Sequence, residues 1–388
     1  MHIILHDIDS VRDSLLPLTF TRPVSHIRCG ILTIAEKWQK LLPATYTYSF
    51  HTAPYLAELY PECNAPQSTH IASHIIPSPA LAAAVTALEP GQTLIFDNEP
   101  VAWRDGDTHN ASTLPCPEPI GRIKNLYDIF RLNHTALAAD FHMLTQGKQS
   151  ASLHPSCPLR GPEENLVIAP TAKLYGAILN VSAGPIYIGE NAEVMEGACL
   201  RGPIAICSHS IVNMGTRIYG GTTIGPHCKV GGEINNVVFI GYSNKAHDGF
   251  LGNSVIGEWC NLGAGCVASN LKNDYSEIKL WNYASRRFLR TGLQFCGLIM
   301  GDHSKAGINT MFNTATVIGV GVNIHGTGFP RNFVASFSEG SAGAGFSDVP
   351  LSKFLTIAER VMARRNVELT PQHIALFENL HRITESYK

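Results

Sequence analysis

The residues best suited to chemistry lie in one segment, Phe239–Asn270, which reads FIGYSNKAHDGFLGNSVIGEWCNLGAGCVASN. It holds the imidazole of His247, with Lys245 just before it and the amides of Asn261 and Asn270 after it. An imidazole has a pKa near neutrality, so it can accept the proton that an attacking amine must lose. Amide side chains both donate and accept hydrogen bonds and can orient a polar ligand. The segment therefore gathers residue types that suit acid–base chemistry on a polar ligand.

A six-residue rhythm in the sequence before this segment predicts the elements that position it. Successive sixth positions are all Ile, Leu or Val: Ile188, Val194, Leu200, Ile206, Val212, Ile218, Ile224 and Val230. A period of six is neither the 3.6-residue period of a helix nor the simple alternation of a strand. It is typical of a parallel β-helix, whose coils stack and point a large aliphatic side chain inward.

The rhythm also divides the chain into regions. Hexads occupy 166–346, interrupted by a non-repeating insertion at about 273–295. Residues 1–150 carry short apolar strands and helical patterns, and they predict an α/β domain. Residues 151–165 are rich in Pro, Ser and Gly and predict a linker. The tail, 347–388, predicts two helices, Leu351–Arg365 and Pro371–Ser386.

Composition limits the class of partner. The net charge of −2 argues against binding to nucleic acid or an anionic membrane surface. The sequence has no apolar run long enough to span a membrane and no signal peptide. The ten cysteines form no CxxC pair, and we expect reduced thiols in a cytoplasmic protein. Charged residues are only 15% of the chain, which favours surface buried between subunits.

The segment from Asn244 to Asn270 resembles the acetyltransferase half of the bifunctional enzymes that make UDP-N-acetylglucosamine, and of their archaeal sugar-1-phosphate nucleotidyltransferase relatives. Those proteins share SKxxH, LGDxxIG and NxGAGxxxxN, which stand here as NKAH, with one residue missing before His247, LGNSVIG and NLGAGCVASN. The resemblance implies a left-handed, trimeric β-helix. It also implies acetyl-CoA as acyl donor, an amino-sugar phosphate as acceptor and His247 as general base.

The resemblance suggests further roles in the same segment. It places Asn261 and Asn270 on the sugar and the acetyl end of coenzyme A, although an asparagine ladder of purely structural value is the alternative. Lys245 would meet a phosphate, and Phe250 stands where the family has Tyr. In the insertion, Arg286 and Arg287 could bind the phosphates of coenzyme A or simply form a solvated face.

The N-terminal stretch Arg12–Trp38 resembles the start of the nucleotidyltransferase-like domain that precedes the β-helix in related bacterial proteins. The family's glycine-rich GxGTRM loop is missing, because LPLTFTRP stands near that place. The phosphate-binding charges would then come from cationic residues: Arg12, Arg22, Arg28 and Lys37. Asp97 follows an apolar strand, Thr93–Phe96, and resembles the aspartate that binds Mg²⁺ in that fold.

These observations favour a two-domain transferase of sugar-nucleotide biosynthesis that N-acetylates an amino-sugar phosphate. The first alternative is a sugar-1-phosphate nucleotidyltransferase whose β-helix only assembles subunits. The second is an inactive scaffold. A third, by resemblance to β-helix carbonic anhydrases, binds zinc at subunit interfaces through His227, His247 and His303 and catalyses hydration or hydrolysis.

Overall fold

The computed structural model describes residues 1–63, 65–106, 111–147 and 149–388. The chain forms two compact units, each with its own core. Unit 1 comprises Met1–Ile27 and Leu32–Asp128, and unit 2 comprises Arg28–Ile31 and Ile129–Lys388. Within these described residues, no helix has the length and apolar character that crossing a membrane requires.

Unit 1 is a mixed α/β layer structure, as the sequence predicts. Its strands are β1 (His2–His6), β2 (Thr47–His51), β3 (Thr69–Ala72), β4 (Ile75–Ile76), β5 (Gln92–Phe96), β6 (Glu99–Arg104), β7 (Ser112–Pro115) and β8 (Gly121–Arg122). The main sheet has the order β2-β1-β3-β6-β5-β7, and β4 pairs with β8. The β2-β1-β3 half is parallel, whereas β6 is antiparallel to both of its neighbours.

The helices of unit 1 are α1 (Asp9–Ser14), α2 (Ile34–Leu41) and α3 (Pro79–Thr86), and α4 (Leu126–Thr145) lies almost wholly in unit 2. Helix α2 begins later than the predicted Ile31. Thr33 caps it by accepting from the Glu36 amide, while the Glu36 carboxylate accepts from the Thr33 amide. This reciprocal pair satisfies donors that would otherwise be unpaired, and it fixes the start of the helix.

Unit 2 is a parallel β-helix with three walls. The first contains β10 (Leu166–Ile168), β13 (Ile186–Ile188), β16 (Ile204–Ile206), β19 (Thr222–Ile224), β28 (Ile299–Met300), β31 (Val317–Ile318) and β33 (Phe333–Val334). The second contains β9 (Leu159–Arg160), β12 (Ile178–Asn180), β15 (Cys199–Arg201) and β18 (Arg217–Tyr219), and β25 (Val267–Ala268) and β30 (Met311–Phe312) form a parallel pair. Two long strands, β21 (Glu233–Gly241) and β23 (Phe250–Glu258), join the first two walls.

The third wall carries the functional segment. Its strands are β11 (Lys173–Leu174), β14 (Glu193–Val194), β17 (Ile211–Val212), β20 (Lys229–Val230), β22 (Asn244–Lys245), β24 (Asn261–Leu262), β29 (Lys305–Ala306), β32 (Asn323–Ile324), β34 (Ser338–Ser341) and β35 (Gly345–Asp348). All of its pairings are parallel except β34 with β35.

The hexad prediction is confirmed by burial and by register. All eight aliphatic residues from Ile188 to Val230 are at most 1% exposed. Ile188 pairs with Ile206, and Ile206 pairs with Ile224, so equivalent positions of successive coils stack. The three-walled β-helix forms a prism whose interior is filled by stacks of aliphatic side chains. Burial of these stacks holds the coils in register.

The segments flanking the coils differ in part from expectation. The predicted linker is ordered on the first coil: β9 lies within it and pairs with β12, and the Ala151 amide donates to the Ile168 carbonyl. The insertion forms an antiparallel hairpin, β26 (Lys279–Asn282) with β27 (Arg287–Arg290). The tail forms helices α5 (Leu351–Ala363) and α6 (Pro371–Thr384), close to the predicted bounds.

One corner of the prism carries stacked flat side chains. This corner row consists of His209, His227, Tyr242, Trp259 and His303, all with φ between +52° and +60°. Successive ring centroids lie 4.6, 4.7, 4.2 and 6.0 Å apart, and the planes are within 22° of parallel. Non-glycine residues pay for this left-handed conformation with strain of about 1–3 kcal/mol each, and ring stacking offsets part of it.

Candidate functional site

The outer face of the third wall carries a straight column of polar side chains. Lys229 pairs with Asn244, Asn244 with Asn261, and Asn261 with Lys305, one residue from each successive strand. Neighbouring strands are about 4.8 Å apart, so the backbones of the two lysines are separated by about 14 Å. The column therefore presents a cation at each end and two amides between them.

This column is the floor of a groove of about 600 Å³. The groove is lined by Ile211, Asn213, Lys229, Tyr242, Asn244, Ala246, His247, Trp259, Cys260, Asn261, Lys305, Val361, Arg364 and Arg365. The volume is within the range of small-molecule sites. Two of the residues predicted from the sequence, His247 and Asn261, thus share one cleft.

His247 lies in the loop that follows β22, and its side chain is exposed to the groove. Two hydrogen bonds hold the loop. Asn213 Nδ2 donates to the Ala246 carbonyl at 2.6 Å, and Lys245 Nζ donates to the His247 carbonyl at 2.8 Å. The backbone on both sides of the imidazole is therefore fixed, which favours a defined ring position.

Lys245 does not line the groove, contrary to the expectation that it would meet a phosphate. Its side chain occupies an inward position in register with Val230 and is 1% exposed. Nζ donates to the carbonyls of His247 and, at 3.1 Å, Gly231. Burial lowers the pKa of this amine to about 8. Lys245 thus acts on the His247 loop from inside the prism.

The side of the groove opposite the column is formed by the end of helix α5. No functional role was predicted for this helix from the sequence. Val361, Arg364 and Arg365 face the column there. Arg365 Nη2 donates to Asn244 Oδ1 at 3.2 Å. The sequence offered no local signal for this contact, because the two residues are far apart in the chain. The lysines were detectable in principle: Lys229 precedes the inward Val230, and Lys305 precedes the inward Ala306.

Asn270 and Phe250 lie outside the residues that line the groove. Asn270 Nδ2 donates to Asn253 Oδ1 at 2.8 Å. When the Asn236 amide is oriented to satisfy its neighbours, its oxygen accepts from Asn253 Nδ2 at 3.0 Å. The structural asparagine ladder is therefore the better description of Asn270, whereas Asn261 stands in the groove. The half-buried Phe250 ring packs close to Gly252 on β23.

The two arginines of the insertion are also outside this groove. Arg286 lies over the ring of Tyr387, with Cζ 5.1 Å from the ring centroid. Arg287 is exposed on the hairpin strand β27. The structure therefore favours the solvated-face interpretation over contact with a ligand in this groove.

The candidate phosphate-binding cations of the N-terminal region are either ion-paired or buried. In unit 1, Arg12 forms ion pairs with Asp9 and Asp13, each at 3.0 Å. Arg22 and Lys37 are 3% and 1% exposed, so their charges do not face an open cleft. Arg28 belongs to unit 2, where Nε donates to the Ile240 carbonyl at 3.0 Å.

Asp97, the predicted magnesium ligand, is held in an ion pair at a hairpin turn. It lies at the tip of the β5–β6 hairpin with φ of +53°, and its carboxylate pairs with Arg122 at 2.6 Å. No group of three or more His, Cys, Asp or Glu that could hold a metal ion occurs in the described part of the chain. Of the three histidines in the zinc alternative, His227 and His303 stack in the corner row and His247 lines the groove.

Comparison with known proteins agrees with the sequence resemblance. Residues 3–149 match the family model described as sugar nucleotidyl transferase. The bifunctional sugar-1-phosphate nucleotidylyltransferase/acetyltransferase of Sulfurisphaera tokodaii is 30% identical over 144 residues, covering 37% of this chain and 35% of that protein. The bifunctional protein GlmU of Synechococcus elongatus is 24% identical over 169 residues, covering 41% and 33%. The chain therefore spans about a third of the length of these relatives.

Two further comparisons concern acyl-transfer proteins. The uncharacterized acetyltransferase YaiX of Escherichia coli is 26% identical over 162 residues, covering 41% of this chain and 67% of that protein. Among solved structures, the UDP-N-acetylglucosamine acyltransferase of Francisella novicida is 15% identical, with a TM-score of 0.23, covering 59% of this chain and 78% of that chain. The similarity to nucleotidyltransferase and acetyltransferase proteins that the motifs indicated is confirmed by the sequence matches.

Proposed function

We propose that this protein is a transferase of sugar-nucleotide biosynthesis whose β-helix N-acetylates an amino-sugar phosphate with acetyl-CoA. The observation that carries the proposal is the groove on the third wall, where His247, Asn244 and Asn261 stand together. The relatives named as acetyltransferases support the reaction type.

The proposed reaction uses His247 as general base. The imidazole takes the proton from the acceptor amine as the nitrogen attacks the thioester carbonyl carbon. A C–N bond forms, and the carbonyl oxygen carries negative charge in the tetrahedral intermediate. When the intermediate collapses, the C–S bond breaks and the leaving thiolate takes up the proton from the imidazolium. Asn244 and Asn261 offer amide donors to the oxygens of the substrates.

The test is the rate of thiol release from acetyl-CoA in the presence of glucosamine 1-phosphate. We expect His247→Ala to lower kcat by a factor of about 10²–10⁴, the usual contribution of a positioned base. His325→Ala is the matched control, because His325 is exposed and does not line the groove. A His247→Ala enzyme that turns over like the parent and the control would overturn the proposal.

A second candidate is a sugar-1-phosphate nucleotidyltransferase, and the match of residues 3–149 to the sugar nucleotidyl transferase model favours it. Against it, the segment after α1 is closed by apolar packing: Leu18, Phe20 and Val24 are at most 2% exposed. The discriminating assay is pyrophosphate release from UTP or dTTP with a sugar 1-phosphate and Mg²⁺. This candidate requires that activity, and the activity would survive His247→Ala.

We also propose that the chain assembles as a homotrimer through the β-helix. Large apolar side chains stand outside the prism, including Ile178, Met214 and Ile308, which are 49%, 71% and 70% exposed. Apolar side chains that are this exposed in one chain are stabilised when a second subunit covers them. Multi-angle light scattering measures the mass directly, and a monomer mass at micromolar concentration would contradict the trimer.

A further inference from the structure

The groove carries an excess of positive charge that its own residues do not neutralise. Four of its lining residues are cationic, Lys229, Lys305, Arg364 and Arg365, and none is acidic. Bringing four cations to one cleft costs repulsion unless an anion joins them. The charge pattern therefore points to an anionic ligand.

The partners of these cations separate into two groups. Lys305 Nζ donates to the His303 carbonyl at 2.8 Å, and Arg365 is held by Asn244. Among the residues that the structure describes, the side chains of Lys229 and Arg364 have no hydrogen bond or ion pair. Lys305 is therefore held in place, Lys229 and Arg364 are available on the same cleft, and Arg365 keeps N–H donors beyond the one that Asn244 accepts.

The fold fixes the end of helix α5 that carries the arginines. Its Phe354, Ala358 and Met362 are buried against the prism. Asn366 adopts φ of +57°, and the Val367 amide donates to the Met362 carbonyl at 3.1 Å, which closes the helix with a left-handed cap. Arg364 and Arg365 therefore stand on an anchored helix end instead of a loose tail.

Gly321 leaves room for the Phe354 side chain of helix α5. It continues the corner row, but it is a glycine with φ of +67°, and a Cβ there would lie 2.8 Å from Phe354 Cε2. The corner row thus has no side chain at position 321, and the Phe354 ring packs in that space. The position of Arg364 and Arg365 depends on this docking.

We propose that Arg364 and Arg365, together with Lys229, form a phosphate-binding subsite, and that helix α5 supplies the charge that selects phosphorylated substrates. The inference rests on the proposed function, since it concerns the same groove. Guanidinium groups bind phosphate oxygens in a bidentate manner, which suits a terminal phosphate or a pyrophosphate. Either coenzyme A or the acceptor sugar could supply that group, because both carry phosphate.

The test measures binding, so it does not depend on turnover. Isothermal titration calorimetry is run with glucosamine 1-phosphate, with 3′,5′-adenosine bisphosphate, and with S-acetylpantetheine, which carries no phosphate. We expect Arg364→Ala/Arg365→Ala to weaken at least one of the two phosphate compounds by ten-fold or more. The compound that loses affinity identifies the source of the phosphate. S-Acetylpantetheine should be unaffected.

Arg360→Ala is the matched control, because Arg360 is an exposed cation on the same helix and does not line the groove. His247→Ala should retain phosphate affinity even if it abolishes turnover, which separates this inference from the proposed base. Equal affinity of the double variant and the Arg360→Ala control for both phosphate compounds would overturn the subsite. So would failure of both phosphate compounds to bind the parent protein.

Discussion

Arg365 Nη2 donates to Asn244 Oδ1 at 3.2 Å, and this bond ties the end of helix α5 to the strand that precedes His247. The two residues are distant in sequence, but both line the groove, and their hydrogen bond joins helix α5 to the groove floor. The base, the column and the helix are therefore parts of one site, and the interaction can be tested directly.

A double-mutant cycle tests whether this bond is formed in solution. We expect Arg365→Ala and Asn244→Ala to be coupled by about 0.5–1.5 kcal/mol in the free energy of unfolding, the net value of a typical hydrogen bond. Urea unfolding of the parent, both single variants and the double variant gives the coupling energy. Strict additivity would show that the two side chains do not interact.

The buried amine of Lys245 predicts a pH dependence of stability. Its pKa is about 8 in the folded protein, below its ordinary value of 10.5. Between these values the unfolded chain binds more protons, so this group makes stability rise as pH increases from 8 to 10. We expect an increment of about 2 kcal/mol in the parent, absent from Lys245→Met. The difference between the two proteins is measured by urea unfolding at both pH values, which cancels other titrating groups. Parallel pH profiles would contradict the prediction.

The glycine that admits Phe354 predicts a specific cost of adding one methyl group. Gly321→Ala should destabilise the protein by about 1–3 kcal/mol through the clash, and it should weaken phosphate binding because helix α5 shifts. Gly215→Ala is the control: its φ of +68° imposes the same backbone strain, but nothing lies within 4 Å of the added Cβ. Thermal melts of the two variants give the comparison, and equal losses would attribute the whole effect to backbone strain.

Unit 1 contains a histidine whose packing predicts loss of stability in acid. His26 packs against Phe50 and Tyr60, with each pair of ring centroids 4.8 Å apart. Burial, with a smaller effect of Arg22, lowers its pKa to about 4. The unfolded chain takes up the proton first, so stability falls as pH drops from about 6.5 towards 4.

His26→Phe keeps an aromatic ring and removes the proton site. We expect the free energy lost between pH 7 and pH 4.5 to be about 2 kcal/mol smaller in this variant than in the parent. Urea unfolding at the two pH values measures it. An unchanged loss would mean that His26 titrates normally.

The sequence predicted the prism well because its signal is local and repeated. Ile188, Ile206 and Ile224 each report the same inward position, so errors at one coil are corrected by its neighbours. Helix α6 was also accessible, since Thr370 and Pro371 mark its start. The start of helix α2 was predicted at Ile31 but lies at Ile34, because the side chain of Thr33 caps the helix there.

The site was only partly predictable, for a physical reason. The motif located His247 and Asn261, but it assigned Lys245 to a ligand without showing that its hexad position points inward. The same register that buries Val230 and Lys245 exposes Lys229 and Asn244. Arg364 and Arg365 depend on how a helix docks on a wall, and no local pattern encodes that contact.

The straight column on the third wall has a consequence for substrate choice. Each strand contributes one outward side chain, so successive side chains of the column are about 4.8 Å apart. Exchanging Asn261 with Lys305 would move a positive charge by one strand, about 4.8 Å, and leave the aliphatic interior unchanged. Such exchanges therefore change the length of the ligand that the column accepts in steps of one strand spacing.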